Sequence, residues 1–382
     1  MRSVVFCGLP VTVWVAAGCV EKAVSPAAMK AEPCAFVREV EPMGVPGVVY
    51  QEDADHLSEG DVDCNSPAHW DNGRLYVFFS AGHPWRSEGP DIFNLSRPSV
   101  RVAIDNHQTW RSNAQGCRWI EATHKAADGK LYAWYHNEPD CICCRQGITA
   151  PRIGQMVSTD NGLNWTDQGL ILEAPADSFD CSSPNTFFVG GNGDFCVIPD
   201  RQGRYLYFLM GTYHRDIEEQ GVSIARMRVS DLADPRGKVV KWHKQAWSEP
   251  GLRGRVTPIL RASASWHCEN PDVFWGPSVH WNTHLKCYVM LLNRAIDKSW
   301  AQEGIYISYN PDIADPEGWT PPVRILDSEQ LPPMKWYPQV FGLDTAARET
   351  DKLAGRKARL FVAGRSRWEI EFLRPDETPP AR

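Results

Sequence analysis

The chain has 382 residues, an apolar content of 43% and a formal net charge of −7. These values allow a sizeable core and exclude the broad basic surface that nucleic-acid binding requires. Sixteen Trp, 14 Phe and 11 Tyr occur with 29 Gly and 29 Pro, a composition typical of many short strands joined by tight turns. We therefore expect an all-β fold and no nucleic-acid partner.

The first 45 residues differ in composition from the rest. Arg2 precedes an apolar stretch, residues 4–17, that is short for a membrane span, and residues 16–19 (AAGC) are similar to a bacterial lipobox. We interpret residues 1–19 as a lipoprotein-type signal peptide and residues 20–45, rich in Ala, Pro and Glu, as a flexible tether. The expected location is periplasmic or at the cell surface, with secretion as the alternative and with membrane attachment only through a lipid.

Twelve cysteines are many for an enzyme of this size, and export favours disulfides among them. Three of them, Cys141, Cys143 and Cys144, stand in the sequence DCICC. Their spacing lacks the two-residue gap that is common in zinc sites. Three interpretations of these cysteines are kept, which are disulfides, a metal site and free buried thiols.

A unit of about 50 residues recurs after the tether, and repeats of this length indicate propellers or solenoids. Each unit has an aromatic strand such as LYVFF, LYAWY or YLYFL, followed by a hairpin near a Trp. The five units begin near residues 66, 119, 193, 274 and 336.

The repeats predict a five-bladed β-propeller over residues 46–382, with two stacked β-sandwiches as the alternative. The last unit is shortened. We therefore expect an N-terminal strand, Val48–Asp53, to complete the last blade and close the ring.

The segment Ser158–Trp165 (STDNGLNW) fits the pattern S-x-D-x-G-x-x-W. Asp160 and Asn161 are turn residues, and Gly162 can adopt the positive φ that a tight turn needs. The segment resembles the Asp-box of sialidases and related propellers, where its role is structural. Asp105 and Trp110 form a degenerate copy.

The first strands of propeller blades surround a central channel, so residues that open these strands converge. Asp63, Glu121 and Asp194 open the first three units and are candidate catalytic acids. The last two units contribute candidate substrate-binding residues, which are Trp275, His280, Trp336 and Gln339. Carboxyl groups for proton transfer and flat rings for sugar stacking together indicate a carbohydrate site.

With these acids, the chain resembles the five-bladed propeller glycosidases, of which glycoside hydrolase family 43 is the best-known example. The resemblance implies that Asp63 is the general base, that Glu121 tunes the acid, and that Asp194 is the general acid. It also implies that the hydrolysed bond is glycosidic.

A second repeat offers another catalytic acid. Asp63-Cys64-Asn65-Ser66-Pro67 recurs as Asp180-Cys181-Ser182-Ser183-Pro184, so Asp180 could replace Asp194, with Glu269 or Asp272 entering from the fourth unit. The remaining polar candidates for substrate binding are His69, His124 and His136.

The sequence thus predicts an exported glycoside hydrolase that uses a carboxylate pair and acts on an oligo- or polysaccharide. The alternatives are a non-catalytic glycan-binding propeller and a polysaccharide lyase, for which Tyr213, His214 and Arg215 would be the natural location. A sialidase would need a cluster of three arginines to bind the carboxylate of its substrate, and the spacing of the arginines in this sequence does not indicate such a cluster. We expect a monomer without a cofactor or assigned metal ligands, although a structural calcium ion could occupy the channel.

Overall fold

The computed structural model describes residues 33–43, 49–51, 57–59, 62–81, 83–105, 117–139, 142–144, 147–331 and 335–377. The strands in these ranges are β1 (Cys34–Met43), β2 (Val49–Gln51), β3 (Leu57–Glu59), β4 (Ala68–Asp71), β5 (Arg74–Ala81), β6 (His83–Gly89), β7 (Val100–Arg101), β8 (Ala103–Ile104), β9 (Cys117–Lys125), β10 (Leu131–Glu138), β11 (Arg152–Ser158), β12 (Asn164–Leu172), β13 (Asn192–Pro199), β14 (Tyr205–Tyr213), β15 (Gln220–Arg228), β16 (Val240–His243), β17 (Ala246–Pro250), β18 (Leu260–Arg261), β19 (Val273–Asn282), β20 (Cys287–Ala295), β21 (Gln302–Asn310), β22 (Val323–Asp327), β23 (Gln339–Gly342), β24 (Leu353–Ala354), β25 (Lys357–Val362) and β26 (Arg365–Leu373). Short 3₁₀ turns cover Ile142–Cys144, Ala176–Ser178, Ile217–Glu219, Val229–Asp231 and Ser328–Gln330.

Five sheets form the five blades of a β-propeller, as the sequence predicts. Their strands pair antiparallel, except that the short strands β8 and β24 pair parallel with β12 and β19. The blades are β4 to β7, then β9 to β12 with β8, then β13 to β17 with β18, then β19 to β22 with β24, and last β23, β25, β26 and β1. Strands β2 and β3 form a separate small hairpin. The innermost strands, which lie nearest the central channel, are β4, β9, β13, β19 and β23.

The core lies between neighbouring blades, because each sheet presents large apolar side chains to the next one. Trp134 of the second blade meets Phe208 of the third edge-to-face at 5.5 Å, and both belong to one buried cluster. Phe78 of the first blade meets Trp165 of the second at 5.8 Å. Burying a side chain of this kind contributes about 1.5–3 kcal/mol, so these blade-to-blade contacts stabilise the ring.

The predicted Asp-box turn forms a dense set of hydrogen bonds at the hairpin between β11 and β12. The carboxylate of Asp160 accepts the backbone N–H groups of Leu163 and Asn164 at 3.1 and 3.0 Å. Gly162 has a φ of +79°, and its carbonyl accepts the indole N–H of the buried Trp165 at 3.0 Å. The turn therefore holds a tryptophan between blades and does not reach the channel acids. Residues 106–110, including Trp110 of the degenerate copy, lie outside the described residues.

The strand that closes the ring is not the predicted one. Strand β1 pairs with β26 in antiparallel register from Cys34↔Leu373 to Glu39↔Trp368. The prediction that Val48–Asp53 completes the last blade is therefore wrong, because the last blade takes a strand that lies before residue 46. Part of the predicted tether is thus a blade strand: its Ala35 and Val37 pack against the core between the last two blades, which the Ala- and Pro-rich composition around it obscured.

Other predictions about the N-terminus and the cysteines have different outcomes. The predicted signal peptide, residues 1–19, lies outside the described residues, as does Cys141. A disulfide joins Cys143 to Cys181 across 38 residues of sequence. Within the described ranges, no helix is long and apolar enough to cross a bilayer.

Candidate active site

A cavity of about 440 Å³ opens where the innermost strands begin. Every blade contributes to its lining, so the site depends on the closed ring. The lining residues are Asp63, Trp119, His136, Glu138, Phe187, Phe188, Asp194, Trp300, Trp336 and Tyr337. Carboxyl groups and aromatic rings thus surround one space, and among these lining residues there is no Lys or Arg.

β-Bulges place two of the acids that sequence analysis selected. In β9, Ile120 pairs with Tyr135 and Ala122 with Trp134, which leaves Glu121 as the extra residue. In β13, Gly193 and Phe195 are paired in the same way around Asp194, which adopts a φ of +44°. A bulge re-aims one side chain out of the regular alternation. The two bulges therefore bring acids from neighbouring blades together.

Asp63 and Asp194 share a tyrosine hydroxyl. The hydroxyl of Tyr337 lies 3.2 Å from Oδ1 of Asp194 and 3.5 Å from Oδ1 of Asp63. The two carboxylate oxygens are therefore no farther apart than the sum of these distances. This separation falls within the upper limit of roughly 9.5 Å for the acid pairs of glycosidases. Tyr213 donates a second hydrogen bond to Asp194, at Oδ2.

Glu121 lies behind the cavity, with 1% of its side chain exposed. Its Oε2 accepts the backbone N–H of Phe195 at 2.7 Å, and its Oε1 lies 3.1 Å from Nδ1 of His136. Nδ1 also faces the backbone N–H of Asp194 at 3.1 Å. Glu121 and His136 therefore hold the bulge on both sides of the Asp194 side chain.

Nδ1 of His136 lies between Oε1 of Glu121 and the backbone N–H of Asp194, so one ring nitrogen links these three groups. Burial disfavours a charged imidazole, but the hydrogen bonds to Glu121 and Glu138 outweigh it and raise the pKa of His136 well above its usual value. The other ring nitrogen, Nε2, lies 3.1 Å from Oε1 of Glu138, to which it donates. Glu138, with 31% of its side chain exposed, carries this hydrogen-bond chain to the cavity.

Burial and crowding of carboxyl groups set the charges in the site. Burial, followed by the charges of Glu138 and Asp194, raises the pKa of Asp63 to about 7. Burial also raises the pKa of Glu121 to about 7, although its contact with His136 opposes this. Burial raises the pKa of Asp194 as well, against the hydrogen bonds from its two tyrosines. Near neutral pH, Asp63 and Glu121 are thus partly protonated.

Tryptophans and phenylalanines form the aromatic side of the cavity around Trp300. Trp300 stacks on Trp266 at 4.5 Å and meets Trp275 at 4.5 Å and Phe188 at 5.0 Å. Trp336 lies beside this group at 6.3 Å and donates its indole N–H to the carbonyl of Trp300 at 3.1 Å. Packing of this kind fixes the ring orientations, and a fixed aromatic face suits the apolar face of a sugar.

The donor atoms of Glu121, His136 and Asp194 lie within 4.8 Å of one another, the geometry of a potential metal site. However, Oε2 of Glu121 accepts a backbone N–H group, Nδ1 of His136 faces another, and both Asp194 oxygens accept tyrosine hydroxyls. The arrangement fits a hydrogen-bonded network better than a ligand set, because most of these donor atoms are already occupied.

Of the predicted catalytic acids, Asp63 and Asp194 line the cavity, and Glu121 lies behind it. Asp180 does not line it. Its carboxylate accepts the N–H and hydroxyl of Ser182 at 3.0 and 2.6 Å, as in a local turn next to the disulfide. The alternatives from the fourth unit are ion-paired elsewhere, Glu269 with Lys298 and Asp272 with Arg294.

Of the predicted substrate-binding residues, His136 and Trp336 line the cavity, and five others do not. Trp275 is fully buried behind Trp300. Gln339 bonds both the N–H and the carbonyl of Ser66, which joins the last blade to the first. His69, His124 and His280 lie in the packing of the blades.

Burial keeps these three histidines neutral at physiological pH. It lowers the pKa of His69 and of His280 to about 3 and that of His124 to about 4. His69 stacks on Tyr76, and His280 packs against Phe372. None of the three lines the cavity, and His69 and His280 are buried, so these side chains do not face a ligand bound there.

Sequence analysis missed several residues of the site. Glu138 lies two positions after His136, and Tyr337 lies one position after Trp336. Sequence analysis selected His136 and Trp336 but not these two neighbours. Tyr213 appeared only as part of a lyase alternative, whereas Trp119, Phe187, Phe188 and Trp300 gave no signal that separates them from core aromatics. The nearest usable signal was position, because these residues end or precede blade strands.

No protein-family model and no curated protein matches the sequence. Solved structures do match. An arabinanase from Bacillus subtilis is 13% identical, with 82% of this chain and 96% of that chain covered and a TM-score of 0.48. A putative exo-β-1,3-galactanase from Bifidobacterium bifidum is 12% identical, with 86% of this chain and 92% of that chain covered and a TM-score of 0.48. A putative glycoside hydrolase from Parabacteroides distasonis is 12% identical, with 89% of this chain and 97% of that chain covered and a TM-score of 0.48. At these identities the likeness concerns the fold alone, so the function is inferred from the site itself.

Proposed function

We propose that the protein is a glycoside hydrolase whose catalytic carboxyl groups are Asp63 and Asp194. The observation that carries this proposal is the contact of both groups with one hydroxyl, that of Tyr337, inside an aromatic-lined cavity. Glycosidic cleavage needs one carboxyl group that is protonated and another that is ionised, at short range. The aromatic side of the cavity supplies a surface on which a sugar ring stacks.

Hydrogen bonding favours Asp63 as the general acid. Asp194 accepts two tyrosine hydroxyls, which stabilise its ionised form, whereas Asp63 has only the longer contact with Tyr337. The pKa of Asp63, about 7, suits a proton donor at neutral pH. Asp194 then serves as the base or nucleophile. These roles are the reverse of those that the family resemblance implies for the two residues.

The other two predicted functions fit the cavity less well. A glycan-binding propeller would need the aromatic rings but not two acids that share a hydroxyl. A polysaccharide lyase would need a positive charge to neutralise a uronate, and the described lining residues include no Lys or Arg. Arg215, which sequence analysis considered for that role, is exposed and does not line the cavity. The lining favours a substrate without a carboxylate.

We also propose that the protein acts outside the cytoplasm on an oligo- or polysaccharide. The disulfide between Cys143 and Cys181 supports export, because such bonds persist in oxidising compartments. Lipid attachment at Cys19, a monomeric state, independence of a cofactor and a structural calcium ion in the channel stay predictions.

Substrates with good and poor leaving groups test the two roles separately. Asp63→Asn should lower the rate on an unactivated oligosaccharide about 10²–10⁴-fold. It should retain most of the rate on a nitrophenyl glycoside, whose leaving group needs no proton. Asp194→Asn should lose both activities. Asp180→Asn is the matched control and should leave both rates unchanged. Full activity of Asp63→Asn on the oligosaccharide would remove Asp63 from the mechanism.

A further inference from the structure

The hydroxyl of Tyr337 has one proton and two carboxylate neighbours. It lies 3.2 Å from Asp194 and 3.5 Å from Asp63, and among the described residues no other hydroxyl contacts both. The side chain lines the cavity. Because a hydroxyl proton rotates freely about the C–O bond, it can point to either acceptor without movement of the ring.

Tyr213 provides the contrasting case. Its hydroxyl donates to Oδ2 of Asp194, and its side chain is fully buried away from the cavity. It therefore serves one carboxyl group only. The two tyrosines thus differ in two respects, because Tyr337 lines the cavity and also contacts Asp63.

The backbone and the neighbouring rings fix Tyr337 in this position. Its φ of +57° is in the left-handed region, which non-glycine residues rarely adopt and which often marks functional sites. Trp275 and Trp336 meet its ring edge-on at 5.8 and 6.3 Å. The oxygen is thus held between the two acids, and only the direction of the O–H bond is free.

We propose that Tyr337 is a further catalytic residue, whose hydroxyl donates to Asp194 before bond cleavage and to Asp63 afterwards. This inference rests on the proposed hydrolase function. In the reaction, Asp63 gives its proton to the leaving oxygen, which also takes the electron pair of the broken C–O bond. Asp194 becomes neutral, either by taking a proton from the attacking water or by forming an ester with the sugar. In both cases the negative charge passes from Asp194 to Asp63, and the Tyr337 O–H follows it.

The test compares Tyr337→Phe with Tyr213→Phe in the full-length protein. Each change removes one hydroxyl and keeps the ring. Removing a donor from an ionised carboxylate raises its pKa by about one unit. Tyr213→Phe should therefore move only the acidic limb of the pH–rate profile upward, because that limb reports Asp194. Tyr337→Phe should move both limbs upward and lower kcat about 10²-fold.

A titration of the free protein separates this inference from the hydrolase proposal. The ¹³C-labelled carboxyl signals of Asp63 and Asp194 should both shift their midpoints upward in Tyr337→Phe, whereas only that of Asp194 should shift in Tyr213→Phe. If the midpoint of Asp194 alone, or of neither acid, shifts in Tyr337→Phe, the proposed role of Tyr337 is overturned. If the wild-type protein cleaves no glycoside, the hydrolase proposal fails, and with it the catalytic role, whatever the titration shows.

Discussion

At the scale of single residues, Asp63 has the least compensated charge of the acids in the site. It faces Glu138 and Asp194, which oppose its ionisation, and the protein shields it from water. Its side chain has one hydroxyl neighbour at 3.5 Å, which is long for an O–H···O bond. Ionising this carboxyl group in the folded protein is therefore unfavourable, and that cost is what prepares it to donate a proton.

The same property predicts a pH dependence of stability. The pKa of Asp63 rises from its usual 3.8 to about 7 on folding, so between these values the folded state binds the proton that the unfolded state has lost. Stability from this group is present below about pH 4 and falls as the pH rises to about 7. Asn does not titrate, so Asp63→Asn should not lose stability in this way as the pH rises. Urea unfolding of both proteins from pH 4 to pH 8 should show the variant gaining relative stability with pH.

Asp180→Asn is the control for this measurement. Although partial burial opposes it, the hydrogen bonds from Ser182 lower the pKa of Asp180. The stability that this group contributes is therefore present above its usual pKa and is lost as the pH falls through its lower folded value. From pH 4 to pH 8 the difference between Asp180→Asn and the wild type should therefore stay nearly constant, whereas the difference for Asp63→Asn should change with pH. A pH-independent difference for Asp63→Asn would contradict the burial of an ionisable group at that position.

At the scale of elements, the bulges in β9 and β13 create the site from otherwise regular strands. In a regular strand, successive side chains alternate between the two faces of the sheet, and those faces pack between blades. Glu121 and Asp194 would then point between blades. The bulges add one residue on each inner strand. Side chains from β9 and β10 then bond the backbone around Asp194, so two neighbouring blades fix its position together.

Gly193 makes this fit sensitive to one methyl group. A Cβ at this position would lie 2.5 Å from Cε1 of His136 and 2.9 Å from Cβ of Pro151. Gly193→Ala should therefore displace His136 and the Asp194 backbone that bonds it. We expect a loss of about 1–3 kcal/mol in stability and, since small misplacements are costly in catalysis, a fall of about 10²-fold in turnover. Thermal unfolding and rates on an oligosaccharide would measure both.

Gly355→Ala is the matched control for this substitution. The nearest atom to a Cβ there is Oε1 of Glu349 at 2.9 Å, the far end of a flexible side chain. The control should lose little stability and no activity. Equal behaviour of the two variants would show that the position of His136 does not matter for turnover.

At the scale of the whole molecule, the ring is closed by the pairing of β1 with β26 and by contacts across the channel. The amide of Asn65 donates to the carbonyls of Phe195 and Pro277, each at 3.0 Å, which links the first blade to the third and fourth. Because every blade contributes to the cavity, we expect the site to depend on this closure.

Val37 tests the closing strand. Its side chain packs on the core between the last two blades, opposite Ile370 in the ladder. Val37→Asp should lower the free energy of unfolding by about 2–4 kcal/mol, because it places a charge against an apolar surface. Arg38 faces solvent in an ion pair with Glu369, so Arg38→Ala should change stability by no more than about 1 kcal/mol. Urea denaturation would measure both, and equal values would contradict the assignment of β1.

The sequence allowed the fold to be predicted more completely than the site. Repeated aromatic strands and turn residues are local signals, and they correctly predicted five blades. The closing strand was missed because pairing of Cys34–Met43 with the distant β26 leaves no local mark in its composition. Asp63, Glu121 and Asp194 were predicted from their positions at strand openings. The bulges that aim the last two, and the positive φ of Tyr337, arise from register and tertiary contacts that composition does not encode.

The measurement that tests the hydrolase most directly is the release of reducing sugar from a panel of neutral oligo- and polysaccharides. The wild-type protein and the Asp63→Asn/Asp194→Asn double variant would be compared, with tryptophan fluorescence reporting binding at Trp300 and Trp336. We predict that both proteins quench with the same glycan and that only the wild type releases sugar. Binding by the wild type without release would contradict catalysis and would identify a glycan-binding propeller instead.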